Sequence, residues 1–379
     1  MSIRVAFPYF RHAYHVYHSA PTAFELSLLD TNLDVQFFSA YKETTDLLNE
    51  LSSLYPNHRC TIHNLPQLPM FRYFNITNRL FPKPQKMIDR HAHRFENMDV
   101  IVDTSDSLLR LINVHGLTNP KYISVFHGAG DRNREFLKRL RKFQFFLLYG
   151  SKKYQRLYSL GLLTENNWAM VGYPKFDVAS PAVIQAKPLF YEKRPIVLYN
   201  PHFERRLSSW YIWGRKILDY FTRSSRYNLI FAPHVELKGR KKRWLSLKKY
   251  KDIPHIHVDL GSRSLIDMTY TRLADIFLSD VSSQICEFLL DPRPCVFLNS
   301  HKVSWENNLY YLQWHLGPVI ENLSQLDGAL KNAFQTHEQY LAAQSKYFSD
   351  SIDLTDIPSG MRSAKAIYAF IRSEFNQFK

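Results

Sequence analysis

Between Thr269 and Asn299 the hydrophobic pattern switches from strand to helix and back, and few folds accommodate that switch. Ile276-Phe277-Leu278 is an apolar run too short for a buried helix, and it stops at Ser279-Asp280. Ser282 and Ser283 then offer capping hydroxyls to a helix whose apolar positions Ile285, Phe288 and Leu289 share one face. Asp291-Pro292 ends that helix, and Cys295-Val296-Phe297-Leu298 reads as a second buried strand. Strand, helix and strand make a βαβ unit, in which ligands bind beyond the carboxyl ends of the strands. The helix start would present free N–H groups and two hydroxyls to a phosphate, with Glu287 one turn further in and within reach of ribose hydroxyls. An ordinary serine cap beside a solvated Glu287 is the competing expectation.

The same alternation runs along the whole chain. Strands are expected at Ile3–Phe7, Asp34–Ser39, Val100–Asp103, Tyr122–Phe126 and Phe145–Leu148 in one half. A helix is expected at Thr44–Leu54 in that half, and in the other half strands are expected at Pro195–Tyr199 and Asn228–Phe231 with a helix at Ser208–Thr222. This predicts an α/β protein of two doubly wound domains facing one another. The expected boundaries are 1–178 for the first domain, 179–194 for a proline-containing linker and 195–360 for the second domain. Residues 361–379 are expected to form a terminal amphipathic helix.

A length of 379 residues suits two domains, and 45% hydrophobic and 15% aromatic content argue for folded ones. Cys60, Cys286 and Cys295 form neither a disulfide framework nor a zinc spacing, which points to a reducing cytoplasm and to no metal. Arg4, Pro8, Arg11 and His12 interrupt the early apolar run, so no leader pattern is read there, and no stretch approaches membrane-helix length. The formal charge of +15 favours phosphorylated ligands or anionic lipid. With 12 glycines and no glycine-rich phosphate loop, helix ends, hydroxyls and basic side chains must hold any phosphate.

Several residues stand out. His127 directly follows an expected strand, and Gly128 and Ala129 after it permit close approach of a substrate to the backbone. Histidine is the side chain suited to accept a proton near neutral pH, and Asp131 is the nearby carboxylate for orienting its ring. A histidine that only hydrogen-bonds the following turn is the alternative. Phe231-Ala232-Pro233-His234 repeats the strand-then-histidine arrangement in the second half. His12, His15 and His18 recur at helical spacing but have no acidic partner. They are therefore expected to face solvent or contact the acceptor, not to hold a metal. The acid-free aromatic segment Leu65–Gln85 and the basic run Lys238–Lys251 are candidates for a lipid surface; a packed loop and a solvated face are the alternatives.

The order of these pieces resembles the CDP-glycerol glycerophosphotransferase family of teichoic-acid primases and polymerases. Phe126-His127-Gly128 is similar to the family's Trp-His-Gly, and Gly172-Tyr173-Pro174-Lys175-Phe176-Asp177 to its Gly-Tyr-Pro-Arg-Asn-Asp. Tyr199-Asn200-Pro201 resembles Tyr-Ala-Pro-Thr-Trp, and Pro233-His234 its His-Pro region with the order reversed. Leu278-Ser279-Asp280-Val281-Ser282-Ser283 resembles Thr-Asp-Tyr-Ser-Ser, and Arg293-Pro294-Cys295-Val296-Phe297 its Lys-Pro-Ile-Ile-Phe. The resemblance implies two Rossmann-like domains facing across a cleft in the GT-B arrangement, with the donor on the second. It implies His127 as general base and His234, Ser282 and Ser283 at the donor phosphates, with Asn200, His202 and Asp280 in the motifs around them. Phe126 in place of Trp and His202-Phe203 in place of Thr-Trp leave room for a nucleotide-sugar donor.

The expected function is transfer of glycerol phosphate or a sugar from a nucleotide-activated donor to a polymer or lipid-linked hydroxyl acceptor in cell-surface polymer synthesis. The donor is a substrate and no cofactor is expected. The expected place is the cytoplasm or the inner face of the cell membrane. A nucleotide-sugar epimerase on the same frame is an alternative, although it would want a Ser-Gly-Gly turn where Val281-Ser282-Ser283 stands. A non-catalytic polyanion binder is another; nucleic acid is not the expected partner, because no recognition helix or zinc spacing is present.

Overall fold

A computed structural model describes residues 2–66, 84–130, 137–178, 188–239 and 247–375. The chain divides into two compact units. The first is built from the chain up to Ala129, a stretch ending at Val178 and the tail from Asp350; the second from the intervening chain as far as Ser349.

In the first unit β1 (Ile3–Tyr9), β2 (Leu33–Ser39), β3 (Thr61–Asn64), β4 (Val100–Asp103), β5 (Lys121–Val125), β6 (Phe145–Leu148) and β7 (Trp168–Met170) form one sheet. The strand order is β3-β2-β1-β4-β5-β6-β7 and neighbouring strands run parallel. β4 and β6 are buried along their whole length, as a parallel sheet with both faces covered requires. Phe95, Ile101, Leu111, Tyr122 and Phe146 belong to the core on one face. The strand order reverses between β1 and β4, which makes that pair the switch point.

In the second unit β8 (Ile196–Tyr199), β9 (Asn228–Phe231), β10 (Ile256–Val258), β11 (Ile276–Ser279), β12 (Cys295–Leu298) and β13 (Val319–Ile320) follow the order β10-β9-β8-β11-β12-β13. These strands are also parallel, and the switch point lies between β8 and β11. Val197, Leu229, Ile276 and Val296 pack with Trp210, Ile217 and Phe221 into its core. The expected helix over Ser208–Thr222 is instead a short 3-10 turn, Ser209–Tyr211, and then a helix, Gly214–Arg223.

The tail departs from expectation. Residues 350–360 were expected in the second domain and the terminal helix as an element of its own, yet both belong to the first unit. The helix runs Ser359–Glu374. Asp177, the last residue of the Gly172–Asp177 motif, accepts the Ser359 N–H at 3.0 Å and the Gly360 N–H at 2.5 Å. Its carboxylate thereby supplies the acceptors that the helix start lacks. Gly172, at φ +76°, lies where a Cβ would come 2.5 Å from Ser359 Oγ, so the motif is shaped to receive the tail. Phe370 stacks on Phe145 of β6 at 4.8 Å. The expected linker lies largely outside the described residues, as do most of Leu65–Gln85 and the centre of the Lys238–Lys251 run.

Candidate functional site

In the first unit the chemistry gathers at the switch point. His127 follows β5 and is exposed; Thr104 follows β4; the helix His15–Leu29 follows β1. His127 Nδ1 lies 2.6 Å from the Thr104 carbonyl oxygen. A carbonyl can only accept, so Nδ1 carries the hydrogen and, in the neutral ring, Nε2 carries the lone pair. The ring is thus oriented by the backbone; Asp131, the carboxylate expected in that role, lies outside the described residues. Gly128 and Ala129 stand beside His127 as expected, partly and fully buried respectively.

Thr104 also bonds a second imidazole, its Oγ1 lying 2.7 Å from His15 Nδ1. The His15 and His127 rings are 4.8 Å apart, and Tyr14 lies 4.6 Å from His15 on a line that continues to His12. The expectation of solvent-facing histidines is corrected: His15 and His18 are each 2% exposed. They begin a helix that is packed inside the unit from its first turn. Burial, and then the positive charge of His127, His18, His12 and Arg11, holds His15 well below the usual histidine range. Burial, and then Lys175 and His127, does the same to His18. Asp103, at the end of β4, is pushed by burial up to about 7 and accepts the Ser105 and Leu108 amides, so its job is to hold the β4 turn.

In the second unit the turns after β8, β9 and β11 are tied together, and this changes the role of three residues expected to touch a donor. Asp280 is 0% exposed. Its carboxylate accepts the His202 amide at 2.8 Å, the Val281 amide at 2.7 Å, and the amide and hydroxyl of Ser209 at 2.6 and 2.8 Å. Burial pushes it up to about 6 against the pull of those donors. Asn200, 2% exposed, donates to the Ala232 carbonyl at 2.6 Å and accepts the Ser282 hydroxyl at 2.6 Å. Ser282 is itself buried, and its amide donates to Gln313 Oε1 at 3.1 Å. Asp280, Asn200 and Ser282 therefore position the turns and do not line an open surface.

The helix between β11 and β12 is also shorter than expected, spanning only Ile285–Phe288. One turn develops little dipole, so the expected helix-end phosphate site does not form as drawn. Ser283 is the exposed hydroxyl of the pair. Glu287 is 4% exposed, which overturns the solvated reading.

The histidines of this unit have the opposite tautomer to His127. His234 Nδ1 accepts the Glu236 amide at 3.2 Å and His202 Nδ1 accepts the Glu204 amide at 3.0 Å. An amide can only donate, so in each neutral ring Nε2 carries the hydrogen. Phe203 packs on both imidazoles, with ring centres at 4.4 Å from His202 and 4.6 Å from His234. The contributions of Thr104, Ser209, Phe203 and Gln313 escaped sequence reasoning, because each acts through a partner far away in the chain. Among the described residues no group of His, Cys, Asp and Glu side chains is placed to hold a metal.

Two parallel sheets, each with polar side chains at its switch point, define a protein of the GT-B fold class. No family model matches the chain, and no curated protein matches its sequence. Solved structures do. The wall teichoic acid polymerase TagF shares 13% identity over 98% of this chain and 89% of its own, with a TM-score of 0.65. Another TagF structure, from a crystal soaked with CDPG, gives 14%, 98%, 89% and 0.64 in the same order. MnaA of S. aureus, solved with UDP, shares 11% over 100% of this chain and 98% of its own at 0.62. The UDP-GlcNAc 2-epimerase of Neisseria meningitidis bound to UDP-GlcNAc shares 13% over 99% of this chain and 100% of its own at 0.56. Those described by activity are a polymerase and an epimerase, and at such identities the neighbours establish the fold, not the reaction.

Proposed function

We propose that this chain is a GT-B transferase moving glycerol phosphate or a sugar from a nucleotide-activated donor to a hydroxyl acceptor in cell-surface polymer synthesis. The His127 tautomer carries the reading: with its Nδ1 hydrogen on the Thr104 carbonyl, the neutral ring presents an Nε2 lone pair at the first unit's switch point. The acceptor hydroxyl gives its proton to His127 Nε2 as its oxygen attacks the donor. With glycerol phosphate the attack falls on phosphorus and a nucleoside monophosphate leaves; with a sugar it falls on the anomeric carbon and a nucleoside diphosphate leaves. Within the second unit, the His234 N–H and the exposed Ser283 hydroxyl are the groups assigned to a donor phosphate. No cofactor enters. The net charge of +15 supports a peripheral seat on anionic lipid at the inner face of the membrane.

An epimerase would share the fold, and a putative UDP-N-acetylglucosamine 2-epimerase from Listeria monocytogenes matches with a TM-score of 0.63 against 0.65 for the polymerase. Transfer is favoured by the imidazole base at the first unit's switch point, where the Asp103 carboxylate is buried under backbone amides. The test supplies CDP-glycerol and UDP-sugars with and without a polyol-phosphate acceptor and follows nucleotide release by chromatography. Release that depends on acceptor and falls roughly 10²–10⁴-fold in His127→Ala is expected. Interconversion of a UDP-sugar without acceptor would establish the epimerase instead.

A further inference from the structure

The tautomer of His127 depends on one peptide plane, the one that joins Thr104 to Ser105 in the turn after β4. Its carbonyl accepts the His127 Nδ1–H at 2.6 Å, and its amide donates to Asp103 Oδ1 at 2.8 Å. Turning that plane over would put an N–H where the carbonyl stands. An N–H can only donate, so Nδ1 would then have to accept, and the hydrogen of the neutral ring would pass to Nε2. The side chain of Thr104 is held as well. Its Oγ1 lies 2.7 Å from His15 Nδ1, and the two residues are 4% and 2% exposed. His15 stands in the first turn of the helix that follows β1, so this bond spans 89 residues and ties the chain after β1 to the turn after β4, the two strands of the switch point. His15 Nε2 is buried without a hydrogen-bond partner, which makes Thr104 the one polar anchor of that ring among the described residues. A half-satisfied buried imidazole costs free energy that a phenyl ring in the same place would not, and the bond to Thr104 is what the imidazole adds.

We propose that His15 is a positioning residue for His127: by holding the Thr104 hydroxyl it fixes the Thr104–Ser105 peptide plane, and with it the tautomer that leaves a lone pair on His127 Nε2. The proposal rests on the reading of His127 as a base for its consequence in turnover, and it deepens that reading; the tautomer itself is a property of the chain without substrate. Asp103 belongs to β4 and moves with the turn, whereas His15 comes from outside it and fixes the turn against the rest of the unit. The turn needs such support, because Asp106 within it is held at φ +58°, a left-handed conformation that is costly for a residue with a side chain. The His15 ring also lies 4.8 Å from the His127 ring at a tilt of 30°, so the same side chain bounds the base that it helps to orient.

Nuclear magnetic resonance on the full chain, isotope-labelled at the histidine nitrogens, reads the tautomer directly. The His127 signals are those absent from His127→Gln. At a pH where the ring is neutral, wild type should carry the hydrogen on Nδ1. Thr104→Val keeps the shape and removes the hydroxyl, and His15→Phe keeps a ring and removes the bond. Each should show a mixture of both tautomers, while Thr104→Ser keeps the wild-type form. In acceptor-dependent nucleotide release the Val and Phe variants should each lose about tenfold in kcat, the scale of one hydrogen bond, with the donor KM little changed. The double variant should be no slower than either single one, because both remove the same bond. An unchanged His127 tautomer in both variants, or a loss of turnover shared equally by Thr104→Ser, overturns the positioning role and leaves the base reading standing. A shifted tautomer with unchanged turnover upholds the positioning of the ring and overturns the base reading. A wild-type ring with its hydrogen on Nε2 overturns both.

Discussion

Ser282 and Ser283 are adjacent hydroxyls in opposite surroundings. Ser282 is buried and bonded to Asn200 Oδ1 at 2.6 Å, so Ser282→Ala leaves a buried acceptor without its donor. The expected cost is about 1–2 kcal/mol of stability, read as a lower melting temperature. Ser283 is exposed, and Ser283→Ala should change stability by less than about 0.5 kcal/mol while weakening CDP or UDP binding. A Ser282→Ala variant of unchanged melting temperature but lost nucleotide binding would reverse these roles. His15 and His18 supply a pH dependence whose sign is fixed. Burial holds both below their unfolded value of about 6.5, so below that pH the unfolded chain binds protons that the folded chain refuses. Their contribution to stability is full above pH 6.5 and lost as the pH falls through it. Replacing both by Gln should flatten the fall of melting temperature between about pH 7.5 and 5.5, and an unchanged slope would show that other groups cause it.

Among the helices, Ser359–Glu374 is held at its start by an acceptor from a distant part of the chain. Asp177→Ala should cost about 1–2 kcal/mol, the scale of a lost N-terminal cap. Two glycines give a matched pair of outcomes. At Gly360 a Cβ would come 2.9 Å from Pro21 Cβ and 3.0 Å from Asp177 Oδ2, so Gly360→Ala must push the helix off its seat. At Gly328, exposed within the helix Leu326–Asn332, a Cβ meets nothing within 4 Å. Gly328→Ala should therefore stabilise by about 0.5–1 kcal/mol through the unfolded state alone. Thermal melts of the two variants should move in opposite directions; movement in the same direction would refute the packing argument.

On the scale of the molecule, the two ends of the chain build one unit and the middle builds the other. Removing residues 350–379 should therefore expose the first unit's strands to hydrogen exchange while β8 to β13 keep their protection. Loss of protection in both units together would mean that they fold as one. The charge of +15 predicts sedimentation with anionic vesicles that declines as salt rises, because a field of this kind is screened within about 10 Å at 0.1 M salt. Equal, negligible binding to anionic and neutral vesicles would remove the membrane from the account.

The sequence by itself determined the central strands. Val100–Asp103, Phe145–Leu148, Asn228–Phe231 and Cys295–Leu298 were legible to the residue, because a parallel strand covered on both faces shows as a short, nearly continuous apolar run. It did not show the edge strands β3, β7, β10 and β13: Thr61–Asn64 is half exposed, and Val319–Ile320 is too short to carry a period. His127 and His234 were legible as histidines after strands. Only the tertiary structure decided which polar residues serve the fold. Asp280 and Asn200 were expected at the donor through the motif resemblance, and Ser282 also through its place at an expected helix start, yet their partners lie 78, 32 and 82 residues away. No local pattern encodes such distant hydrogen bonds, and a tautomer is set only when a carbonyl or an amide arrives at one ring nitrogen.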